Sequence, residues 1–285
     1  CSLFFQARST IGKGIFEYLW RPRPNLIQSN TKLRNDMDRR HLRVDLAIPL
    51  TNLLPEITKK YNLGEFKTYS FFERGYEDLN IKLETTRGIY VAKIFSKGRS
   101  KKFIDTYINA LNKFALAGIP VPKLYQSESG QLLKLQGKEN FSYLCVMEYF
   151  EGKTFLEQNV TKKDWSAIAS FIGQMHNLVF SVYGDYDSWG VANLLKEYKK
   201  NKQFLLDDDV DLVEPIVKEF KSIDFSKWRH SIIHGDFQRE HVFKNKSGNY
   251  CIIDLGCLNN GVSTFDLGIF LAQFCINMDP KTEFR

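Results

Sequence analysis

The sequence contains no apolar run of transmembrane length, so no membrane span is expected. It has no CxxC pair. Its five cysteines (Cys1, Cys145, Cys251, Cys257 and Cys275) are odd in number, and four lie in apolar contexts. That pattern argues against a disulfide framework and for reduced, mostly buried thiols in a cytoplasmic setting. There is no long Lys/Arg block and no RNA-binding signature, although the formal net charge is +7. The positive excess is read as solubility plus local phosphate handling, and no nucleic-acid partner is expected. The chain lacks an initiating Met and stops at Arg285 soon after a helical stretch, so both ends read as cut. Nothing in the pattern speaks to oligomeric state.

What is present fits one large domain or two lobes: 285 residues of ordinary globular composition, with an aromatic share of 14%. Residues 1–60 are an extension of uncertain structure. A short amphipathic helix is conceivable over 11–20, Arg21-Pro22-Arg23-Pro24 breaks it, and 30–43 is dense in charges of both signs, read first as a solvated face. Residues 61–150 are mostly β. Period-two alternation marks strands around Thr68–Phe72, Leu79–Thr85 and Ile89–Phe95, then near Leu132–Leu135 and Tyr143–Phe150. One helix interrupts them over 100–117, with Ser100 as its cap and Gly118 as its stop. Residues 151–285 turn helical: 162–179 with apolar positions up to Val179, then 192–206 and 209–223. His176 reads as a core histidine satisfied by one hydrogen bond. The run Asp207-Asp208-Asp209 suits a helix N-terminus better than a metal. A last helix is expected after Ser263-Thr264-Phe265-Asp266, with Leu267, Ile269, Phe270 and Phe274 inward.

Chemistry concentrates in His234-Gly235-Asp236-Phe237-Gln238-Arg239-Glu240-His241, followed by Ile252-Ile253-Asp254-Leu255-Gly256. Two short apolar runs, Ser231–Ile233 and Tyr250–Ile253, each deliver an aspartate into a turn, and Lys244–Asn249 reads as a hairpin turn between short strands. Oxygen ligands plus one imidazole suit a phosphate-bound Mg²⁺, with a carboxylate left to position a nucleophile. Phosphoryl transfer also needs a cover over the phosphates and a lysine on them. The Gly75 turn and Lys93 on the third strand stand in the right order for those tasks. Glu148-Tyr149-Phe150 is an extended segment able to offer backbone groups to an adenine edge. Asp236 would orient the acceptor hydroxyl, and His241 with Asp254 would hold the ion. A metal hydrolase built on His234, Asp236 and His241 is the remaining alternative, although His234 is better suited to bonding backbone and shaping its loop.

The HGDFQREHVF…IDLG…DLG pattern resembles the aminoglycoside phosphotransferase/choline kinase family, from about Lys67 to about Ile276. The resemblance includes Gly118-Ile119-Pro120-Val121-Pro122 and Met147–Gly152. It implies an α+β, two-lobed, protein-kinase-like fold with a small antiparallel β-sheet N-lobe and a mainly helical C-lobe. The implied activity is transfer of the γ-phosphate of Mg-ATP or Mg-GTP to a hydroxyl of a small molecule: an aminoglycoside, macrolide, sugar or amino alcohol. By the same resemblance Asp236 is catalytic, Lys93 meets the phosphates, Glu148 and Phe150 form the hinge, and Asp254 is a Mg²⁺ ligand. The residues themselves suggest the Gly75 turn as the cover over the nucleotide, His241 as the second Mg²⁺ ligand, and His234 and Asp266 as structural support, with Asp266 holding the backbone of the Asp236 loop. Three departures stand out. His241 occupies the family's usual Asn position, as in macrolide and 2″-aminoglycoside phosphotransferases. No helical Glu is evident to pair with Lys93: Tyr107 lies near its place and Asp105 is the nearest acid. The further helices that help form the acceptor pocket fall beyond Arg285. A nucleotide-binding pseudokinase acting as an interaction module is the second reading. A protein kinase is disfavoured by the short stretch between Asp254 and Asp266.

Overall fold

The structure, a computed structural model, describes residues 43–275 except Glu73, Arg74 and Tyr76. The helix considered over 11–20 and the charged stretch before Arg43 lie outside the described residues.

The chain first forms helix α1 (Leu50–Lys60), then strands β1 (Phe66–Phe71), β2 (Leu79–Thr85) and β3 (Gly88–Ile94). Helix α2 (Lys101–Leu116) follows, then β4 (Leu132–Gln136) and β5 (Phe141–Glu148). The five strands make one antiparallel sheet in the order β1-β2-β3-β5-β4. Side chains alternate across a strand, so each strand serves two cores. Leu79, Ile81 and Leu83 of β2, Ala92 and Ile94 of β3, and Leu144 and Val146 of β5 pack with Leu53, Leu54 and Ile57 of α1. The opposite face presents Cys145 and Met147 to α2, where Phe103, Tyr107, Leu111 and Phe114 are buried. Helix α1 falls within residues 1–60, yet it covers one face of the sheet, so the packed lobe starts earlier than the sequence pattern indicated.

The second lobe holds a short strand β6 (Lys153–Thr154) and helices α3 (Lys162–Asn177), α4 (Leu194–Asn201) and α5 (Asp207–Ser222). Strands β7 (His230–Ile233), β8 (Val242–Lys244), β9 (Tyr250–Ile252) and β10 (Asn259–Val262) follow, then helix α6 (Ser263–Phe270). The two apolar runs that deliver Asp236 and Asp254 do not pair with each other. β7 pairs with β10, whereas β9 pairs with β8 in a β6-β8-β9 sheet. The hairpin turn expected over Lys244–Asn249 connects β8 to β9. Three local expectations shift. α3 ends at Asn177, leaving Val179 97% exposed instead of inward. The single helix expected over 192–206 is a shorter α4 flanked by 3₁₀ turns. α6 starts at Ser263, one turn earlier than a cap at Ser263–Asp266 would allow, and runs into a π-helical turn over Leu271–Cys275; Leu267 is 40% exposed instead of inward. Phe270 and Phe274 remain inside. Among the described residues, no helix is long and apolar enough to cross a membrane.

Asp164 ties the start of α3 to the β8–β9 hairpin. Its carboxylate caps with Thr161 and accepts from Lys244 Nζ and Tyr250 Oη, each at 2.6 Å. Burial opposes its ionisation, but the bonds from Lys244, Thr161 and Tyr250 outweigh that and hold its pKa at about 2, below the ordinary 3.8. Asp164→Ala leaves a part-buried ammonium and a part-buried phenol without their shared acceptor. It is expected to cost roughly 3 kcal/mol in urea denaturation at pH 7. The carboxylate's contribution is complete above its ordinary pKa and fades as pH falls toward 2, so the wild-type and variant curves should converge in acid.

Candidate active site

Lys93 lies in a central strand, between β2 and β5, and not at a sheet edge. Alternation points it away from α1, between Ala92 and Ile94, which face the α1 core. It is 4% exposed. A buried ammonium needs a counter-charge, and it has one: Asp78 Oδ2, 2.7 Å away. Burial works against the Lys93 charge, but Asp78 more than compensates, so its pKa is raised. The rings of Tyr107 and Phe95 lie 5.3 and 5.6 Å from Nζ. Asp105, the nearest acid on α2, instead pairs with Lys101 at the surface. The acid beside Lys93 therefore comes from the residue that precedes β2, while α2 contributes an aromatic ring.

Asp78 is held from three sides. Its Oδ1 accepts from the Ser96 amide at 2.9 Å and stands 3.8 Å from Arg99 Nε. Arg99 also pairs with Glu77, stacks 4.5 Å from the centre of the Phe103 ring, and donates from Nη1 to the Gly256 carbonyl at 3.1 Å. The sequence pattern singled out neither Asp78 nor Arg99. The available signal was an acidic pair, Glu77-Asp78, at the mouth of a strand whose antiparallel partner carries a lone lysine.

Beneath the sheet, the His234–His241 loop is pinned by Asp266 of α6. The Asp266 carboxylate is fully buried. Oδ2 accepts from the His234 amide and Oδ1 from the Gly235 amide, both at 2.9 Å, and His176 Nε2 lies 3.0 Å from Oδ2. His234 is fully buried as well. Its Nδ1 accepts from the Asp236 amide at 3.3 Å, which leaves Nε2–H to donate to the Ile253 carbonyl at 2.9 Å. Both nitrogens are thus engaged, and burial lowers its pKa, keeping it neutral. No nitrogen of His234 remains for a metal, so the hydrolase alternative loses a ligand. Gly235 adopts φ +81°, and a Cβ there would stand 2.6 Å from the Cys257 carbonyl. Only glycine lets the Asp236 and Asp254 loops approach this closely.

Asp236, His241 and Asp254 converge. His241 Nδ1–H donates to the Asp236 carbonyl at 2.8 Å, which turns Nε2 toward Asp254 Oδ2, 3.6 Å away; burial works against a charge on His241, but the Asp254 and Asp236 carboxylates outweigh it and raise its pKa. Asp254 is itself in the left-handed region, at φ +63°, and accepts from the Gly256 amide at 3.2 Å. Desolvation opposes ionisation of Asp254, but His241 and Lys93 outweigh it and lower its pKa. Burial raises that of Asp236, whose carboxylate receives the Gln238 side-chain amide. Once deprotonated, His241 Nε2 beside the Asp254 carboxylate would fit a divalent cation that neutralises phosphate charge. Among the described residues no group of three or more His, Cys, Asp or Glu is placed to hold an ion by itself.

The segments expected to receive the base are nearby. The Ile252 amide of β9 donates to the Pro120 carbonyl at 2.6 Å, joining the Gly118–Pro122 stretch to the Asp254 loop. The Glu148 amide donates to the Lys123 carbonyl at 2.9 Å, so that amide is already engaged and is not the group that would meet a base edge. Phe150 packs edge-on against Phe243. Gly75 adopts φ +119°, and its carbonyl accepts from Arg43 at 2.6 Å.

A five-stranded antiparallel sheet with one helix on each face, set over a helical lobe that carries paired aspartate loops, is a kinase-like α+β fold. Residues 68–282 match the phosphotransferase enzyme family, and the chain belongs to that family. It is a small-molecule kinase by class. Among its relatives, the homoserine kinase of Methylobacillus glycogenes is 23% identical over 227 residues, covering 78% of this chain and 68% of the relative. That of Methylorubrum populi is 26% identical over 230 residues, with coverage of 78% and 68%. Among solved structures, spectinomycin phosphotransferase in complex with ADP and spectinomycin superposes with a TM-score of 0.61 at 14% identity, covering 78% of this chain and 73% of that one. Choline kinase from Streptococcus pneumoniae gives 0.55 at 18% identity, covering 78% and 74%.

Proposed function

We propose that the protein transfers the γ-phosphate of a Mg-nucleotide, ATP or GTP, to a hydroxyl of a small molecule. The convergence of Asp236, His241 Nε2 and Asp254 below Lys93 carries this reading. In it, Asp236 orients the acceptor hydroxyl and receives its proton late in the transfer. Lys93 draws on the phosphates, and the Gly75 turn covers them. The Glu148 carbonyl and the Phe150 amide meet the base. His241 and Asp254 hold Mg²⁺, which supplies charge neutralisation on the phosphates. His234 and Asp266 fix the loop. The lobe that ends at Phe150 binds the nucleotide, and the helical lobe supplies the catalytic and metal loops. The free thiols of Cys145, Cys251, Cys257 and Cys275 support a cytoplasmic setting.

The names of the relatives suggest an acceptor panel of homoserine, choline and spectinomycin, extended to sugars, other amino alcohols, other aminoglycosides and macrolides. ADP or GDP release that depends on one acceptor class supports the proposal. Nucleotide binding without release on any acceptor favours the interaction-module reading. Absence of nucleotide binding sinks the assignment. Asp254→Asn removes one of two protein ligands. It should raise the Mg²⁺ concentration for half-maximal nucleotide binding about tenfold or more, measured by calorimetric titration.

A further inference from the structure

We propose that Asp78 is the acid that positions Lys93 on the phosphates, replacing an acid on helix α2, and that Arg99 couples this pair to the Asp254 loop. The inference rests on the phosphotransferase reading above and assigns a residue that reading leaves without a role.

Three observations carry it. Asp78 Oδ2 sits 2.7 Å from Lys93 Nζ, and the two side chains are only 4% and 5% exposed. A pair this dry is fixed by its surroundings, and its geometry is set by the sheet: Leu79 faces Ile94 across β2 and β3, which brings Asp78 beside the end of the lysine strand. Second, the one carboxylate on the neighbouring face of α2, Asp105, is turned to solvent with Lys101. The α2 group that does reach Lys93 is the Tyr107 ring, which can hold a cation over its face but cannot orient it along one direction. Third, Asp78 does not act alone. Its other oxygen anchors the Ser96 amide, and Arg99, from the β3–α2 connection, bridges the Glu77-Asp78 pair to the Gly256 carbonyl beside Asp254. Arg99 Nε is buried without a hydrogen-bond partner, so Arg99 is held there by charge and by stacking on Phe103.

The arrangement has a functional consequence. Where the acid rides on a helix, a shift of that helix breaks the lysine pair. Here Lys93 stands on β3 and Asp78 directly precedes its neighbour β2, so the pair does not depend on a carboxylate carried by α2. Binding of phosphates would be sensed through Arg99, which touches the metal loop directly.

The test compares Asp78→Asn with wild type for binding of ATP and adenosine (or GTP and guanosine) in the presence of Mg²⁺. Asn keeps an oxygen for the Ser96 amide, so the fold is expected to survive, as thermal melting will show. Weakening of ATP binding tenfold or more with adenosine changed less than twofold is the expected result, because adenosine has no phosphates to report on Lys93. Asp105→Asn should change neither. Adding Asp78→Asn to Lys93→Met should weaken ATP binding no further than Lys93→Met alone, since Asp78 acts through the lysine. Equal losses for ATP and adenosine make Asp78 a structural residue and overturn the inference. So does unchanged or tighter ATP binding, which would mean Asp78 holds Lys93 away from phosphate. If wild-type protein binds neither ligand, the phosphotransferase reading itself fails and takes this one with it. That outcome is distinct from the other two.

Discussion

Asp236→Asn is expected to lower phosphate transfer about a thousandfold while leaving nucleotide affinity within about twofold. The selectivity follows from where each bond of the loop ends. His241 is oriented by the main-chain carbonyl of Asp236, at 2.8 Å, and not chiefly by its carboxylate, whose Oδ2 is 3.4 Å away. His234 is likewise held by the Asp236 amide and the Ile253 carbonyl. Asn therefore preserves both imidazoles, keeps an oxygen for Gln238, and leaves Asp254 untouched. What it removes is the ability to accept a proton. Burial raises the pKa of Asp236, making it a better proton acceptor than an ordinary carboxylate once the hydroxyl begins to transfer. The measurement is single-turnover transfer from radiolabelled nucleotide at saturating acceptor, beside calorimetric nucleotide binding. A variant that loses binding as well as turnover would show that the carboxylate helps hold the Mg-nucleotide. A variant that retains more than a tenth of wild-type turnover would remove Asp236 from the reaction.

Much of this site is legible in the sequence because the features that place it are local. Strand alternation around Val91-Ala92-Lys93-Ile94 already puts Lys93 on the face opposite Ala92 and Ile94. The spacing of His234-Gly235-Asp236 with His241 and Asp254 shows which residues deliver the loops, although β7 and β9, which carry them, pair in different sheets and not with each other. The pairing of Asp78 with Lys93 is not local. It depends on the register of β2 against β3, in which Leu79 meets Ile94, and a reading along the chain sees only an acidic turn. Helix α1 escapes for another reason. Its inward residues Leu53, Leu54 and Ile57 span one turn and a half, Pro55 interrupts them, and charged flanks make the segment resemble a solvated arm. Val179 and Leu267 fail because a 3.6-residue pattern points the right way only while a regular α-helix continues: α3 stops two residues before Val179, and α6 gives way to a π-helical turn between Leu267 and Phe274, so the two need not share a face.

The same reasoning gives Asp266 more weight than a supporting residue usually carries. Asp266→Ala is expected to destabilise the protein by about 4 kcal/mol. The fully buried carboxylate satisfies two main-chain amides, those of His234 and Gly235, and faces His176 Nε2 at 3.0 Å. Removing it leaves those three groups buried without an acceptor. Water cannot replace it cheaply, because His234 beside it is fully buried and Gly235 is wedged against the Cys257 carbonyl. A loss of this size is a large part of a domain's whole stability, which is about 5–15 kcal/mol. The loss is also directional. Gly235 turns the chain at φ +81°, a conformation open to glycine, and Asp266 is the anchor that keeps this turn against α6. Native-state hydrogen exchange should therefore show the His234 and Gly235 amides opening well before the β2–β3 amides of the sheet lobe. Asp266→Asn should lie between wild type and Ala, because one amide oxygen can accept only part of what two carboxylate oxygens do. Urea denaturation reads the total, and exchange reads where it is lost. If Asp266→Ala costs less than about 1 kcal/mol, or if the two amides stay protected, the loop is held by other contacts. Asp236 would then owe its position to His234 and the neighbouring Asp254 loop alone.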